Sequence, residues 1–347
     1  MTGALRLREQ RLPDMAHDRQ GNERMAHTAR IAVIGAGAWG TALALQAARA
    51  GAEVSLWARD PTTMSAGRVM PRLPGYALPQ AITVTSTLPH QADLILLACP
   101  TQHLRETART VPPCAPLIAC CKGIEQATGL MPLQVLAELF PHSVLGVLSG
   151  PNFAHEVAAG LPAAAVLAST ERTQARRLAD LLTTPAFRLY ASDDPTGVQI
   201  GGAAKNVVAI AAGAAMGAKL GENARAALIT RSIAELGRLS HAVGGRPETL
   251  SGLAGIGDLL LTCTGLASRN YRLGLAIGKG SPAQEAANTL EGVAEGMATA
   301  PALHQLALRH GVNAPVIATV SHLLAGTITM TDASRQLQAR PVGHEFA

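Results

Sequence analysis

Lys205 lies in the segment Gly201-Gly-Ala-Ala-Lys-Asn-Val-Val-Ala-Ile210, surrounded by small apolar residues. An ammonium group in such a setting is costly to bury unless it is paired or functional, and burial lowers an amine's pKa toward the range useful for proton transfer. Asp258, a lone carboxylate in Gly255-Ile-Gly-Asp-Leu-Leu-Leu261, is its natural partner, a helix N-cap being the plainer role for it. Ser268-Arg269-Asn270 groups a hydroxyl, a guanidinium and an amide ahead of a helical stretch, a set suited to a phosphate or carboxylate. Lys122 in Cys121-Lys-Gly123 and Asn152 in Ser149-Gly-Pro-Asn152 each follow a short apolar run, where a loop would present them to a ligand crevice.

These groups need a scaffold and a partner reagent, and the N-terminal third supplies both. Gly35-Ala-Gly-Ala-Trp-Gly40 follows the apolar run Ile31–Ile34 and opens the Ala/Leu-rich stretch 41–50. In a strand–turn–helix setting each glycine has a mechanical task. Gly35 permits the tight turn, Gly37 lets a pyrophosphate approach the backbone, and Gly40 lets the helix close on the strand. The helix N-terminus offers N–H groups and a partial positive charge to the phosphates. The chain is therefore expected to bind a dinucleotide. The next strand ends Trp57-Ala-Arg-Asp60. A guanidinium at Arg59 suits a 2′-phosphate, whereas Asp60 could serve the free ribose hydroxyls of NAD. NADP(H) is the favoured cofactor, with NAD(H) tolerated.

Strand-like segments at Arg30–Ile34, Glu53–Ala58, Leu94–Ala98, Leu117–Ala119, Val144–Leu148, Ala163–Ala168 and Phe187–Tyr190 alternate with helix-like ones at Trp39–Ala50, Met131–Phe140 and around Thr173–Leu182. Such alternation predicts an α/β fold, a Rossmann-type parallel sheet with helices on both faces. After Asp194 the strand signals stop. Ile229, Ile233, Leu236 and Val243, at offsets of 4, 7 and 14, mark one stripe of an amphipathic helix. The expected organisation is a tail over 1–28, a dinucleotide-binding domain over 29–194 and an all-helical substrate domain over 195–347. The tail is charged, has no long apolar run and reads as mobile, with a start at Met25 conceivable. The apolar stretch Val198–Ala218 carries Lys205 and Asn206 and is rich in Ala and Gly, which favours a buried helix over a membrane span.

Over 347 residues the chain is 48% hydrophobic and 15% charged, as a globular protein of about two domains would be. The net charge of +5 comes from scattered basic residues without an aromatic-laced basic stripe, so nucleic acid is not the expected partner. The five cysteines form no C-x-x-C pair, and no His/Cys/carboxylate cluster has metal-ligand spacing. We expect reduced thiols, a cytoplasmic location and no metal. His142, His155, His241 and His304 are dispersed and read as structural or solvated.

Seven motifs in order resemble the bacterial-type NAD(P)-dependent glycerol-3-phosphate dehydrogenases: G-A-G-A-W-G-T-A-L-A at Gly35, C-K-G-I-E at Cys121, S-G-P-N-F-A at Ser149, A-K-N-V at Ala204, G-I-G-D-L-L-L-T-C at Gly255, S-R-N-Y-R-L-G at Ser268 and V-A-E-G-M-A-T at Val293. The resemblance implies reduction of dihydroxyacetone phosphate to sn-glycerol 3-phosphate, for glycerophospholipid synthesis. It makes Lys205 the general acid/base and Asp258 its orienting partner. It also places Lys122, Gly150, Asn152, Ser268, Arg269 and Asn270 around the substrate. Gly35, Gly37, Ala38, Trp39, Gly40, Arg59, Lys122, Ala154, Arg269, Val293 and Glu295 would line the cofactor. Two positions depart from the family pattern. Ala38 stands where serine is frequent, and Asn152 where serine or threonine is. A homodimer is compatible with the apolar helical half. A related reductase of small keto acids is the alternative enzyme, disfavoured by the phosphate-suited Ser268-Arg269-Asn270. A non-catalytic dinucleotide sensor would have no need of Lys205 with Asp258.

Overall fold

A computed structural model describes residues 28–339 apart from Pro89 and Glu291. The expected tail, Thr28 excepted, and Met25 lie outside the described residues. Strands β1 (Arg30–Ile34), β2 (Glu53–Trp57), β3 (Ile82–Thr85), β4 (Leu94–Leu97), β5 (Leu117–Ala119), β6 (Leu145–Ser149), β7 (Ala163–Ser169) and β8 (Phe187–Ser192) form one sheet ordered β3-β2-β1-β4-β5-β6-β7-β8. The first six run parallel, in the order of doubly wound dinucleotide-binding sheets. Alternating strand residues feed two cores. Ile31 and Val33 pack with Leu43 of helix α1 (Ala38–Arg49) on one face, and Ala32 and Ile34 pack with Leu104 of helix α2 (Leu104–Thr110) and Val135 of helix α3 (Pro132–Leu139) on the other.

The sheet departs from the fully parallel expectation at one edge. β7 pairs antiparallel with β6, and β8 then runs parallel to β7. The connection from β6 explains this. It holds only helix α4, the six residues Ala154–Ala159. Such a helix spans about 9 Å, whereas returning along a five-residue strand takes about 17 Å. The chain has not travelled back, so β7 starts where β6 ended. β3 was missed because its Ile-Thr-Val-Thr alternation is brief; register with β2 (Val54 opposite Ile82) defines it. Helix α5 (Arg172–Asp180) precedes β8 and packs on this edge.

From Pro195 onward the described residues hold no strand. Helices α6 (Pro195–Gly217), α7 (Glu222–Ala242), α8 (Asp258–Cys263), α9 (Arg269–Gly278), α10 (Ala283–Asn288), α11 (Gly296–Arg309), α12 (Pro315–Leu324) and α13 (Met330–Gln338) enclose a core of their own. The stripe expected at Ile229, Ile233 and Leu236 lies on α7 and faces that core. α6 is long and apolar enough to cross a membrane by composition, but 89% of its most apolar window is buried within the protein. It is the central helix of this half.

α6 owes its composition to α9. A Cβ on Gly213 would overlap Tyr271 O, and one on Gly217 would overlap Leu275 O. Reciprocally, a Cβ on Gly274 would overlap Ile210 O and one on Gly278 Ala214 O. Each glycine pair is spaced i, i+4 and so lies on one helix face. The two backbones touch along their length.

This contact opposes helix propensity, which favours Ala over Gly by about 1 kcal/mol in a helix. Gly274→Ala is therefore expected to lower the free energy of unfolding by about 1–3 kcal/mol, overpacking outweighing propensity. Urea denaturation measures it, and a gain in stability would mean the helices do not meet backbone to backbone.

Candidate active site

Loops after β5 and β6 and the helices α6 and α8 converge on one carboxylate. Asp258 is fully buried and sits at the start of α8, after a turn of π-helix over Leu253–Gly257. Gly201 of α6 lies so close to that turn that a Cβ there would overlap Ala254 O. The widened turn and the glycine together bring Asp258 alongside α6.

Both oxygens of Asp258 are taken by ammonium groups. Lys205 Nζ of α6 donates to Oδ1 at 2.7 Å, and Lys122 Nζ, from the loop after β5, donates to Oδ2 at 2.6 Å. Lys205 Nζ also reaches Thr262 Oγ1 at 3.2 Å, and Lys122 Nζ donates to Gly150 O at 2.9 Å. Burial alone would push the Asp258 carboxyl up, but the two lysines outweigh it and hold it below the usual carboxylate range. Burial, reinforced by the charge of Lys205 and opposed by Asp258, lowers Lys122 to about 8. Lys122, expected as a ligand-facing loop lysine, is thus part of a three-charge cluster with a net charge of one positive unit. Asp258 is not the helix cap that its plainer reading suggested.

A chain of amides extends the cluster. Asn206 Nδ2 donates to Lys122 O at 3.0 Å, and Asn270 Nδ2 donates to Asn206 Oδ1 at 2.9 Å. Asn270 Oδ1 accepts from Gly296 N at 3.0 Å. Asn270 is therefore mainly a strut, with one N–H left over. Ser268 caps α9, its Oγ accepting from Tyr271 N at 3.2 Å, so only its proton is free to donate. Arg269 is exposed beside Gly292, and Val293 is 57% exposed on the same loop. Glu295 is half-buried, and the desolvation it suffers raises its carboxyl; its Oε1 accepts from Thr101 N at 3.2 Å, joining this loop to the end of β4.

Neighbouring polar atoms lack partners. The Asn152 amide has neither Oδ1 nor Nδ2 satisfied within the protein, and Ser149 Oγ, on the same loop as Gly150, is likewise unpaired. Buried polar groups without partners are uncommon, and beside Lys122 they suit a polar ligand. Gly150 itself cannot bear a side chain: its φ is +148°, and a Cβ would lie 2.8 Å from Ala165 Cα.

The glycine turn fits a dinucleotide diphosphate. A Cβ on Gly40 would overlap Gly35 O, whereas one on Gly37 would meet nothing within 4 Å, so the turn is closed inside and open outside. No side chain caps α1, and its first turn holds no acidic residue. Trp39 Nε1 is buried without a partner. Gly35 N donates to Trp57 O at 3.1 Å, which sets the turn against the end of β2, where Arg59 is exposed. Ala154 begins α4 and packs partly against the core shared with α1.

Sequence reasoning paired Lys205 with Asp258, but it read Lys122 as a loop lysine facing the ligand and not as the second amine on that carboxylate. It assigned nothing to Thr262, although its i+4 spacing from Asp258 on one helix face is a readable signal. Asn206 was noticed only as the neighbour of Lys205. Thr101 carried no signal, because its contact to Glu295 spans 194 positions.

The described residues match known proteins over nearly their whole length. Residues 30–175 match the model for the NAD-dependent glycerol-3-phosphate dehydrogenase N-terminus, and residues 194–335 the model for its C-terminus. A glycerol-3-phosphate dehydrogenase (NAD(P)+) of Gluconobacter oxydans is 54% identical over 319 residues, covering 91% of this chain and 98% of that protein. One of Acidiphilium cryptum is 53% identical over 319 residues, covering 91% and 98%. The crystal structure of glycerol-3-phosphate dehydrogenase from Coxiella burnetii superposes with a TM-score of 0.85 at 38% identity, covering 90% of this chain and 99% of that one. The chain belongs to the NAD-dependent glycerol-3-phosphate dehydrogenase family.

Proposed function

We propose that this protein reduces dihydroxyacetone phosphate to sn-glycerol 3-phosphate with NADPH or NADH. The observation that carries the reading is the Asp258 carboxylate shared between Lys205 Nζ at 2.7 Å and Lys122 Nζ at 2.6 Å. Reducing a ketone requires hydride at carbon and a proton at oxygen. The dinucleotide supplies the hydride when bound, and the glycine turn, the α1 N-terminus, Arg59, Ala154, Val293 and Glu295 would hold it.

Lys205 Nζ gives a proton to the substrate oxygen as negative charge builds there, and takes it back in the reverse direction. Asp258 orients that ammonium group, and Thr262, whose hydroxyl also donates to Asp258 Oδ1 at 3.3 Å, accepts a second bond from it. Lys122, lowered to about 8 by burial yet next to a carboxylate, lends positive charge to the substrate. The Asn152 amide contributes hydrogen bonds that the protein leaves unmade. Arg269, the Ser268 hydroxyl and the remaining N–H of Asn270 take the phosphate. The net positive cluster suits a phosphorylated, anionic substrate better than a neutral one.

We further propose that the enzyme works in the cytoplasm, that its product enters glycerophospholipid synthesis, and that it forms a homodimer. All five cysteines are free thiols, as a reducing compartment requires. Leu260 and Leu266, exposed on the helical half, are apolar surface that a second copy would cover.

Lys205→Ala is expected to lower kcat about 10²–10⁴-fold, the usual contribution of a general acid/base, with NADPH affinity within about threefold of the parent. Steady-state kinetics and cofactor titration check this, and parental turnover would remove the role. A second outcome concerns pH. As pH rises through about 8, Lys122 loses its charge, so kcat/KM for dihydroxyacetone phosphate falls along a limb near that value. Lys122→Arg, which stays protonated, is expected to lose that limb. The same limb in both proteins would place the titration elsewhere.

A further inference from the structure

Glu125 is a buried carboxylate that the proposed reaction does not use. It lies just beyond Lys122 in the loop that follows β5. Arg105 of α2 grips it in a fork: Nε donates to Oε1 at 2.9 Å and Nη2 to Oε2 at 2.8 Å. Thr128 Oγ1 donates to Oε2 at 2.5 Å, and the guanidinium holds the carboxyl below the usual carboxylate range. The loop also closes on itself, Glu125 N donating to Leu130 O at 2.9 Å and Gly129 N to Glu125 O at 2.8 Å.

Gln102 makes a second attachment. It sits in the 3-10 turn Thr101–His103 that leads into α2. Its Nε2 donates to Ile124 O at 2.7 Å and its Oε1 accepts from Gln126 N at 2.9 Å, so one side-chain amide pairs with the loop as a neighbouring strand would.

These attachments matter because of what lies between them and the sheet. Cys120 N still donates to Leu97 O at 2.9 Å, as part of the ladder between β5 and β4. Lys122 O then accepts from Asn206 Nδ2 at 3.0 Å, and Gly123 follows in a narrow passage. A Cβ on Gly123 would lie 2.8 Å from Thr101 Oγ1 and 3.0 Å from Thr299 Oγ1. Lys122 thus rides on a short span held by the sheet at one end and by α2 at the other. With the far end released, the span swings at Gly123. Both anchors belong to the sheet half, whereas Asp258 belongs to the helical half, so the clamp sets where Lys122 meets that carboxylate.

We propose that Glu125 and Gln102 are positioning residues for Lys122: they clamp the loop after β5 to α2 and thereby hold the Lys122 ammonium on Asp258, where it meets the substrate. The inference rests on the dehydrogenase reading above for the task of Lys122, but one arm of its test does not.

Steady-state kinetics read the task. Glu125→Ala and Gln102→Leu are each expected to raise KM for dihydroxyacetone phosphate about 3–10-fold, with kcat within about threefold of the parent. In a Lys122→Met background the same changes are expected to move KM less than about twofold, because the group they place is gone. A general loss of stability would act alike in both backgrounds.

Lysine titration by NMR reads the placement without substrate. The chain has four lysines, Lys122, Lys205, Lys219 and Lys279. With lysine isotopically labelled at Cε in the full-length protein, the signal lost in Lys122→Met identifies Lys122. Burial lowers that amine to about 8, Asp258 and Lys205 being the charged groups that act on it. Gln102 is exposed, so its replacement by leucine leaves folding intact. In that variant a slack loop admits water, and the Lys122 titration is expected to rise toward the ordinary lysine range. A KM effect undiminished in Lys122→Met overturns the proposal, as does a Lys122 titration in Gln102→Leu equal to or below the parental one. A protein that shows the expected rise yet oxidises neither NADPH nor NADH with dihydroxyacetone phosphate contradicts the proposed reaction and leaves the clamp standing.

Discussion

One buried carboxylate, bonded at once to an amine from the sheet half and an amine from the helical half, is the constraint on which the site depends. Asp258 has no exposure, so its charge is tolerated only because Lys122 and Lys205 occupy both oxygens. Removing the carboxylate would leave two ammonium groups facing each other with little solvent. Keeping it fixes each Nζ within hydrogen-bond distance of a common point, which is the precision that proton transfer and substrate capture demand.

The backbone is shaped to keep that carboxylate in place. Asp194 caps α6, Oδ1 accepting from Gly197 N at 2.9 Å, while Oδ2 accepts from Arg246 N at 2.9 Å and Thr249 Oγ1 at 2.5 Å. The start of the helix that bears Lys205 is thereby tied to the segment that leads into Asp258. At its other end α6 touches α9 through four glycines, which fixes Asn270 against Asn206 and, through it, the carbonyl of Lys122. Large side chains would pack as well in hydrophobic terms but would move the amides and amines apart. The small-residue core follows from the site's geometry.

Much of this was legible in the chain. Local rules sufficed for the glycine turn, whose strand and helix flanks are contiguous with it, and for the amphipathic stripe of α7. The pairing of Lys205 with Asp258 was also readable, because each is a lone charge in apolar sequence. The reversed β7 was not, since strand direction depends on how far a connection travels and apolar runs look alike in either sense. Nor was the second lysine on Asp258: Lys122 lies 136 positions away, and its loop looks like any solvated turn. The capping role of Ser268 was legible in principle, but a serine before an arginine reads equally as a cap or as an anion ligand.

The central claim is spatial, and a crystal structure of the protein with NADP+ and sn-glycerol 3-phosphate bound tests it most directly. The account predicts Lys205 Nζ within hydrogen-bond distance of the C2 oxygen, still bonded to Asp258, with the nicotinamide on the other face of that carbon. A substrate oxygen held by a different donor, or a Lys205 side chain turned away from it, would contradict the account.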